Sequence, residues 1–256
     1  MTPWLVVLFM AARERALPRL ERLCARRPRR HLFFEVGSNR GDVLRAFYSG
    51  KIPKFSVNPH WTFPVSGYNA SEWEVFAFEA SPTHRVALEA LEAAHPLLHI
   101  SIAAAWSDAN SSIRLSIDDT KTGMRRAQWG SSVVRDWGQM GGSSKTVDVP
   151  TVDFASFVAR TVCPQDHVVV KMNIEGAEFA VVPHLIDKGL LCLIDDLDFY
   201  WHPNFVRTRD FPDPHALIAA TDRQIKSCGR MRCIRGACTH ALCSCRSVSR
   251  GVPARR

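Results

Sequence analysis

The sequence predicts an α/β fold in which a mostly parallel sheet is covered by helices on both faces. Apolar, β-branched runs alternate along the chain with helix-like stretches, which is typical of parallel sheets because each parallel strand needs a crossover connection. A glycine turn follows the first apolar run, and acidic residues follow several others. A chain of 256 residues, of which 46% are hydrophobic, is long enough to bury the core of one such domain.

The first strand leads through Gly37 and Gly41 into a helix over residues 40–49. Two glycines four residues apart allow a tight turn and a close approach of the backbone to a ligand. Glu35 and Asp42 lie on either side of this turn. The turn therefore suits a cationic or hydroxyl-rich ligand better than a pyrophosphate.

The alternation continues through the rest of the domain. A Pro- and Gly-containing insertion over residues 50–71 separates the first helix from the second strand. The pattern then predicts strands over 74–78, 98–104, 167–172 and 190–194, a hairpin-like strand over 112–117, and helices over 83–94, 153–160 and 177–188. Residues 118–148 are rich in Gly, Ser and Thr, and we expect them to form a mobile loop.

Acidic residues close or follow the first four predicted strands: Glu35 closes the first and Glu79 the second, whereas Asp108 follows the third and Glu175 the fourth. The carboxyl ends of parallel strands meet at one edge of a sheet, which is the edge where such sheets bind ligands. A carboxylate after the second strand can accept two hydrogen bonds from a ribose diol. Each carboxylate alone can also be a helix-start charge. For Asp42 and Glu178 both interpretations stay open.

The net charge of +8 lies at the two ends of the chain. Residues 13–30 carry +6 and residues 223–256 carry +9, so residues 31–222 carry −7. Nucleic-acid-binding proteins usually carry basic residues on a folded face beside aromatic side chains. Basic ends are more typical of solvated tails, so we expect no specific nucleic-acid partner.

The apolar run over residues 4–12 has three open interpretations: a signal peptide, a signal-anchor, or an amphipathic helix packed on the core. It is shorter than the about 20 residues of a membrane span, and no positive residue precedes it. Membrane association through residues 4–30 stays open. Asn69 and Asn110 begin sequons that become glycosylation sites in the secretory pathway. The sequence does not decide the compartment, and we expect the cytoplasm rather than the secretory pathway.

Five of the eight cysteines lie near the C-terminus, beside His240: Cys228, Cys233, Cys238, Cys243 and Cys245. A zinc knuckle, disulfides and a low-complexity tail are the three interpretations. The spacing lacks the close ligand pairs of zinc sites, so we expect no metal. We expect the other three cysteines to be buried thiols; they are Cys24, Cys163 and Cys192. The predicted divisions are an N-terminal segment (1–30), a domain (31–227) and a tail (228–256).

Six segments in order resemble the FkbM-type S-adenosylmethionine-dependent methyltransferases. They lie between residues 32 and 202 and are FEVGSNRGD (34–42), FAFEASP (76–82), AAAWSD (103–108), GSSV (130–133), TVD (151–153) and VKMNIEGAE (170–178). The resemblance implies a Rossmann-like class I methyltransferase with a mostly parallel, seven-stranded sheet. It also implies S-adenosyl-L-methionine as the cofactor. The last two strands would have to come from residues 228–245, or else this strand pair is degraded.

The resemblance further implies roles for individual residues in holding the cofactor. The glycine turn would wrap its amino-acid end, Glu79 would hold the ribose hydroxyls, and Ser107 and Asp108 would lie by the adenine. The candidate cofactor-binding residues are Glu35, Gly37, Ser38, Asn39, Gly41, Asp42, Glu79, Ser107 and Asp108.

The block over residues 171–178 would border the reacting methyl group. The candidate catalytic residues are Lys171, Asn173, Glu175, Glu178 and His202. A hydroxyl acceptor needs a general base, for which Glu175, Glu178 and His202 are the candidates. Purely structural roles for Lys171 and His202 stay open. The family most often has Asp where this chain has Asn173, and an amide cannot take a proton near neutral pH.

The predicted function is methyl transfer from S-adenosylmethionine to a hydroxyl of a small molecule or sugar. The alternative is a catalytically weakened cofactor-binding protein of the same fold, because of Asn173. A Rossmann-type oxidoreductase is a third hypothesis, disfavoured because the middle glycine of G-x-G-x-x-G is missing. The sequence does not identify the oligomeric state.

Overall fold

A computed structural model describes residues 24–50, 68–109, 112–118, 128–134, 145–202, 213–228, 233–234 and 242–246. The strands are β1 (His31–Val36), β2 (Trp73–Phe78), β3 (Leu98–Ser101), β4 (Ala104–Trp106), β5 (Ser112–Ser116), β6 (Thr146–Asp153), β7 (His167–Met172), β8 (Asp196–Tyr200), β9 (Cys233–Ile234) and β10 (Leu242–Arg246). The helices are α1 (Asp42–Ser49), α2 (Arg85–Ala94), α3 (Phe154–Thr161), α4 (Glu178–Asp187) and α5 (Pro214–Ser227).

The main sheet has seven strands in the order β3-β2-β1-β7-β8-β10-β9. The first five in this order are parallel, and β10 pairs antiparallel with both β8 and β9. Side chains of β1 alternate between two cores. Leu32 and Phe34 pack with α3, α4 and α5, while Phe33 packs with α1 and α2. The predicted α/β fold, with seven strands and helices on both faces, is confirmed.

A second, three-stranded sheet has the order β4-β6-β5. Residues 98–104, predicted as one strand, are divided: β3 ends at Ser101 in the main sheet and β4 begins at Ala104 in the small one. The predicted strand at 112–117 is β5, and it pairs antiparallel with β6. Because β6 begins at Thr146, the predicted loop over 118–148 is wrong at its C-terminal end.

The predicted strand over residues 190–194 is wrong. Leu191–Leu193 is a 3₁₀ turn, with the N–H groups of Leu193 and Ile194 donating to carbonyls three residues back. Residues 190–194 are apolar because their side chains pack in the same core as those of α4. A short buried run of this kind does not distinguish strand from helix by its pattern. The fifth parallel strand is β8, which follows it.

Residues 233–234 and 242–246 supply the antiparallel strands expected from residues 228–245. They are therefore part of the sheet rather than of a tail without structure. Cys228 is bonded to Cys192, and Cys238 and His240 lie outside the described residues. Among the described residues no group of three His, Cys, Asp or Glu side chains is placed to hold a metal ion.

The expectation of three buried thiols is wrong, because the structure pairs all three in disulfides, Cys24–Cys163 and Cys192–Cys228. The segment after Cys24 is also held by polar contacts. Asp166 accepts hydrogen bonds from the backbone and side chain of Arg30, and Gln165 Nε2 donates to the carbonyl of Cys24. The apolar run over residues 4–12 lies outside the described residues. Within the described part, no helix is long and apolar enough to cross a bilayer.

Candidate active site

The glycine turn after β1 is anchored to the end of β2. The N–H groups of Gly37 and Ser38 both donate to the carbonyl of Phe78. Gly37 has a φ of 92°, and a Cβ built there would lie 2.1 Å from the carbonyl oxygen of Asn173. The loop after β7 therefore approaches so closely that only glycine fits.

Gly41 is also required by packing. Its φ is 86°, and an added Cβ would lie 2.5 Å from Leu91 Cδ1 of α2. The sequence predicted that both glycines make room for a ligand. The structure gives each a cause within the protein, namely the loop after β7 for Gly37 and the side of α2 for Gly41.

Glu79 joins the ends of β1 and β2. Its two carboxylate oxygens accept hydrogen bonds from the backbone N–H groups of Asn39 (2.6 Å) and Ser81 (2.7 Å). Asn39 has a left-handed φ of 51°, which aims its N–H at this carboxylate. Burial raises the pKa of Glu79, although the two N–H groups act in the opposite direction. The carboxylate is thus fixed at the carboxyl edge of the sheet.

A row of charged residues crosses three neighbouring strands. The parallel register aligns Glu35 of β1 with Lys171 of β7, and Lys171 with Asp198 of β8. Lys171 Nζ lies 2.8 Å from Glu35 Oε1. Burial raises the pKa of Glu35 to about 7, against the opposing effect of the Lys171 ammonium. Glu35 Oε2 is buried with no hydrogen-bond donor among the described residues.

A second cluster combines one imidazole with two carboxyl groups. His202 follows β8, and its Nδ1 contacts Glu178 Oε1 in the first turn of α4. Its Nε2 lies 3.5 Å from Glu175 Oε2. Burial alone would lower the pKa of His202, but the Glu178 and Glu175 carboxylates raise it above its ordinary value. Burial raises the pKa of Glu175 to about 7, with His202 opposing.

Glu175 is held in an unusual backbone conformation, with a φ of 52°. Non-glycine residues rarely adopt this region, and when they do they are often at functional sites. The buried hydroxyl of Ser132 donates to the carbonyl of Glu175 (2.6 Å), and the N–H of Gly176 donates to Glu178 Oε2 (2.9 Å). These bonds hold the backbone of the turn that carries Glu175 and the carboxylate of Glu178.

Residues 128–134 link the two halves of the site. Gln128 Oε1 accepts a hydrogen bond from the hydroxyl of Ser81, next to Glu79. Ser132, four residues further on, holds Glu175. Sequence reasoning gave Gln128 and Ser132 no role. The sequence pointed to this region only through the GSSV segment at residues 130–133. The role of that segment follows from the structure, in which the turn at Glu175 packs against it.

Buried carboxyl groups, an imidazole and an ammonium group thus lie along one edge of a parallel sheet. Most of them belong to the sequence segments that resemble methyltransferases. The model of the methyltransferase FkbM domain matches residues 35–229 of the chain. The chain belongs to the FkbM methyltransferase family. No curated protein and no solved structure matches it.

Within this FkbM domain, most of the predicted site residues lie in linked groups. Gly37, Ser38, Asn39 and Glu79 are connected by hydrogen bonds across β1 and β2. Glu35 pairs with Lys171, and His202 lies between Glu175 and Glu178. Glu178 is both a first-turn charge of α4 and a member of the cluster.

Three predicted residues are placed differently. Asp42 is in the first turn of α1, where its half-exposed carboxylate pairs with Arg40 and Arg45. Ser107 and Asp108 follow β4 of the small sheet, not the third parallel strand as predicted. Asp108 therefore does not close a strand of the main sheet.

Asn173 lies beside the glycine turn of the FkbM domain. Its N–H donates to the carbonyl of Val36 and its own carbonyl faces Gly37. Its side-chain Oδ1 is buried with no donor among the described residues. The side chain thus presents a buried acceptor near the end of β1.

The raised pKa of Glu175 predicts a pH-dependent stability. Its ordinary pKa is 4.5 and its folded pKa about 7, so between these values the folded state holds a proton that the unfolded state has lost. Glu175 therefore contributes stability at pH 5 that is lost as the pH rises through 7, by at most about 1.4 kcal/mol per pH unit. The Glu175 carboxylate also raises the pKa of His202. A raised histidine pKa stabilises the folded state at low pH, so this effect changes stability in the same direction.

Urea unfolding of the wild type and Glu175→Gln at pH 5, 6, 7 and 8 measures this effect. We expect the variant to lose less stability than the wild type across this range. Glu89→Gln, on the exposed side of α2, is the matched control and should follow the wild type. Parallel curves for Glu175→Gln and the wild type would contradict the assignment.

Proposed function

We propose that this methyltransferase uses S-adenosylmethionine and methylates a hydroxyl group of a small molecule or sugar. The observation that carries the proposal is the Glu175 carboxyl, held beside His202 at the carboxyl edge of the sheet with a pKa raised to about 7. A general base is most effective when its pKa lies near the working pH. A hydroxyl acceptor loses its proton on methylation and therefore needs such a base.

The residues at the end of β1 fit a cationic cofactor. S-adenosylmethionine would supply a methyl group on a positively charged sulfonium, next to an amino-acid end that carries an ammonium group. Glu35 Oε2 and Asn173 Oδ1 are buried acceptors with no donor among the described residues. Both would accept hydrogen bonds from an ammonium group, and carboxylates stabilise a nearby cation. Glu79 already accepts two backbone N–H groups, and carboxylate oxygens retain capacity for ribose hydroxyls.

The base cluster has a division of roles. Glu175 would take the proton of the acceptor hydroxyl, because its side chain is partly exposed whereas that of Glu178 is fully buried. His202 would remain between the two carboxyl groups and stabilise the charged form of Glu175. Holding the hydroxyl in line with the methyl group would provide much of the acceleration.

The position of Asn173 supports an active enzyme over the weakened cofactor-binding alternative. Asn173 contacts the glycine turn, and its bonds do not involve Glu175, Glu178 or His202. An amide oxygen can accept a hydrogen bond at this position as a carboxylate would. The base at Glu175 does not require a proton acceptor at residue 173.

Cofactor binding is tested by isothermal titration calorimetry on the full chain, with S-adenosylmethionine and, as a control, NAD. We expect binding of S-adenosylmethionine alone. Glu79→Ala should weaken it by roughly 1–3 kcal/mol, about 5- to 150-fold, the scale of a lost hydrogen bond to a charged group. Glu89→Ala is the exposed control. Because Glu79 also accepts two backbone N–H groups, thermal unfolding is measured alongside, and an unchanged dissociation constant in folded Glu79→Ala refutes the role.

Transfer to a hydroxyl is tested by incubating the protein with S-adenosylmethionine and a panel of monosaccharides and oligosaccharides. S-adenosylhomocysteine should accumulate with at least one acceptor and not in mixtures without acceptor. Binding of S-adenosylmethionine with no accumulation on any hydroxyl acceptor would instead support the weakened alternative.

A further inference from the structure

Two disulfides join parts of the chain that are distant in sequence. Cys24–Cys163 links the segment before β1 to the loop between α3 and β7, across 139 residues, with the Cα atoms 5.6 Å apart. Cys192–Cys228 links the 3₁₀ turn before β8 to the end of α5, across 36 residues. All four cysteines whose side chains the structure describes are paired.

Both disulfides are built into the fold rather than attached to its surface. Cys24, Cys163 and Cys228 are at most 4% exposed. The segment at Cys24 is held independently by Gln165 and by the Arg30–Asp166 pair, which brings the two sulfur atoms together. Disulfides persist in oxidising compartments and are rare in the reducing cytosol. This favours the secretory pathway, contrary to the compartment expected from the sequence.

The sequon at Asn69 lies on the surface of this fold. Asn69 and Ser71 are exposed; Asn69 caps, and Ser71 lies within, the 3₁₀ turn Ala70–Glu72 that leads into β2. Asn69 Oδ1 accepts hydrogen bonds from the N–H and the hydroxyl of Ser71, at 3.2 and 2.8 Å. The two side chains that define an N-glycosylation site are therefore side by side. Asn69 Nδ2 donates to the exposed carboxylate of Glu72, at 3.1 Å.

We propose that the chain folds in an oxidising compartment of the secretory pathway and carries an N-linked glycan on Asn69. In the transfer, Asn69 Nδ2 bonds to the anomeric carbon of an oligosaccharide carried on a lipid diphosphate. The bond from that carbon to the diphosphate oxygen breaks, the lipid diphosphate leaves, and the amide nitrogen loses one proton. No oxidation or reduction is involved in this step.

The glycan would lie away from the active site. Asn69 precedes the amino end of β2, whereas Glu79 follows its carboxyl end. Six strand residues separate the two edges by about 20 Å. The modification is therefore compatible with methyl transfer, and it does not rest on the proposed function.

The test expresses the full chain in cultured eukaryotic cells and maps its peptides by mass spectrometry before and after treatment with peptide-N-glycosidase. Asn110→Gln in the background removes the second sequon. We expect Asn69 to be converted to Asp by the enzyme, with loss of one glycan in electrophoresis. The shift should vanish in Asn69→Gln and Ser71→Ala and remain in Ser71→Thr, the matched control that keeps the hydroxyl. An Asn69 peptide that is unmodified in the parent chain overturns the proposal.

A second measurement on the same parent chain tests the compartment without any variant at Asn69. Thiols are alkylated without prior reduction, and the peptides are mapped. The proposal expects Cys24 linked to Cys163 and Cys192 linked to Cys228. Alkylated, free thiols at these four positions overturn the assignment to an oxidising compartment, whatever the state of Asn69.

Discussion

Gly37→Ala is expected to lower the free energy of unfolding by about 2–5 kcal/mol, combining overpacking with a disfavoured backbone conformation. The added Cβ would lie 2.1 Å from the Asn173 carbonyl oxygen, which is backbone and cannot rotate away. Relief would require the loop after β7 to move, and that loop also carries Glu175. Urea unfolding at pH 7 measures the loss.

Gly50→Ala is the matched control for this prediction. Gly50 also has a positive φ, of 66°, but nothing lies within 4 Å of an added Cβ. Gly50→Ala should lower the free energy of unfolding by only roughly 1–2 kcal/mol, which is the cost of placing alanine in the left-handed conformation. The difference between the two variants isolates the contact with Asn173. Equal losses would show that β1 and the loop after β7 do not approach each other as described.

Lys171→Met is expected to lower the free energy of unfolding by about 3–5 kcal/mol near pH 8, because it leaves Glu35 buried without its partner. Glu35 is fully buried and Lys171 Nζ lies 2.8 Å from it. At pH 5.5 the loss should be smaller. Burial raises the pKa of Glu35 to about 7 even though the Lys171 ammonium lowers it. Without Lys171 the Glu35 carboxyl therefore holds a proton at pH 5.5, and no unpaired negative charge remains. Urea unfolding at the two pH values measures the difference.

Two further variants separate this effect from lost packing. Lys171→Met combined with Glu35→Gln removes both charges and should recover part of the loss at pH 8. Arg85→Met removes a cation from an exposed pair with Glu89, and it should change stability by no more than about 1 kcal/mol. If the double variant is no more stable than Lys171→Met at pH 8, the buried pair does not act as described.

The sequence predicted the strongly patterned elements well. β7 and α4 were identified nearly to their ends, β7 because of its run of apolar, β-branched residues and α4 because of its apolar period and the Gly189 that follows it. β8 was missed because its sequence, DLDFY, contains two acidic residues, whereas the neighbouring LLCLI run looks more like a strand. Asp198 is tolerated in β8 because it lies beside Lys171, its register partner on the neighbouring strand β7. Only the tertiary register explains that choice.

The sequence predicted which residues form the candidate site better than it predicted how those residues are arranged. The resemblance to the FkbM family named Glu175, Glu178 and His202, which the structure brings together. Ser132 could not be assigned from sequence, because its role depends on a contact with a turn 43 residues away. The two disulfides could not be assigned either, since spacings of 139 and 36 residues carry no local pattern.

The disulfide between Cys24 and Cys163 also determines at which edge of the sheet the preceding chain is attached. It fixes the point where the N-terminal part of the chain joins the fold at the amino end of β7, next to Asp166. Glu79, Glu175 and His202 all lie at the opposite edge. The disulfide therefore attaches the preceding chain to the edge of the sheet that lies away from the candidate active site.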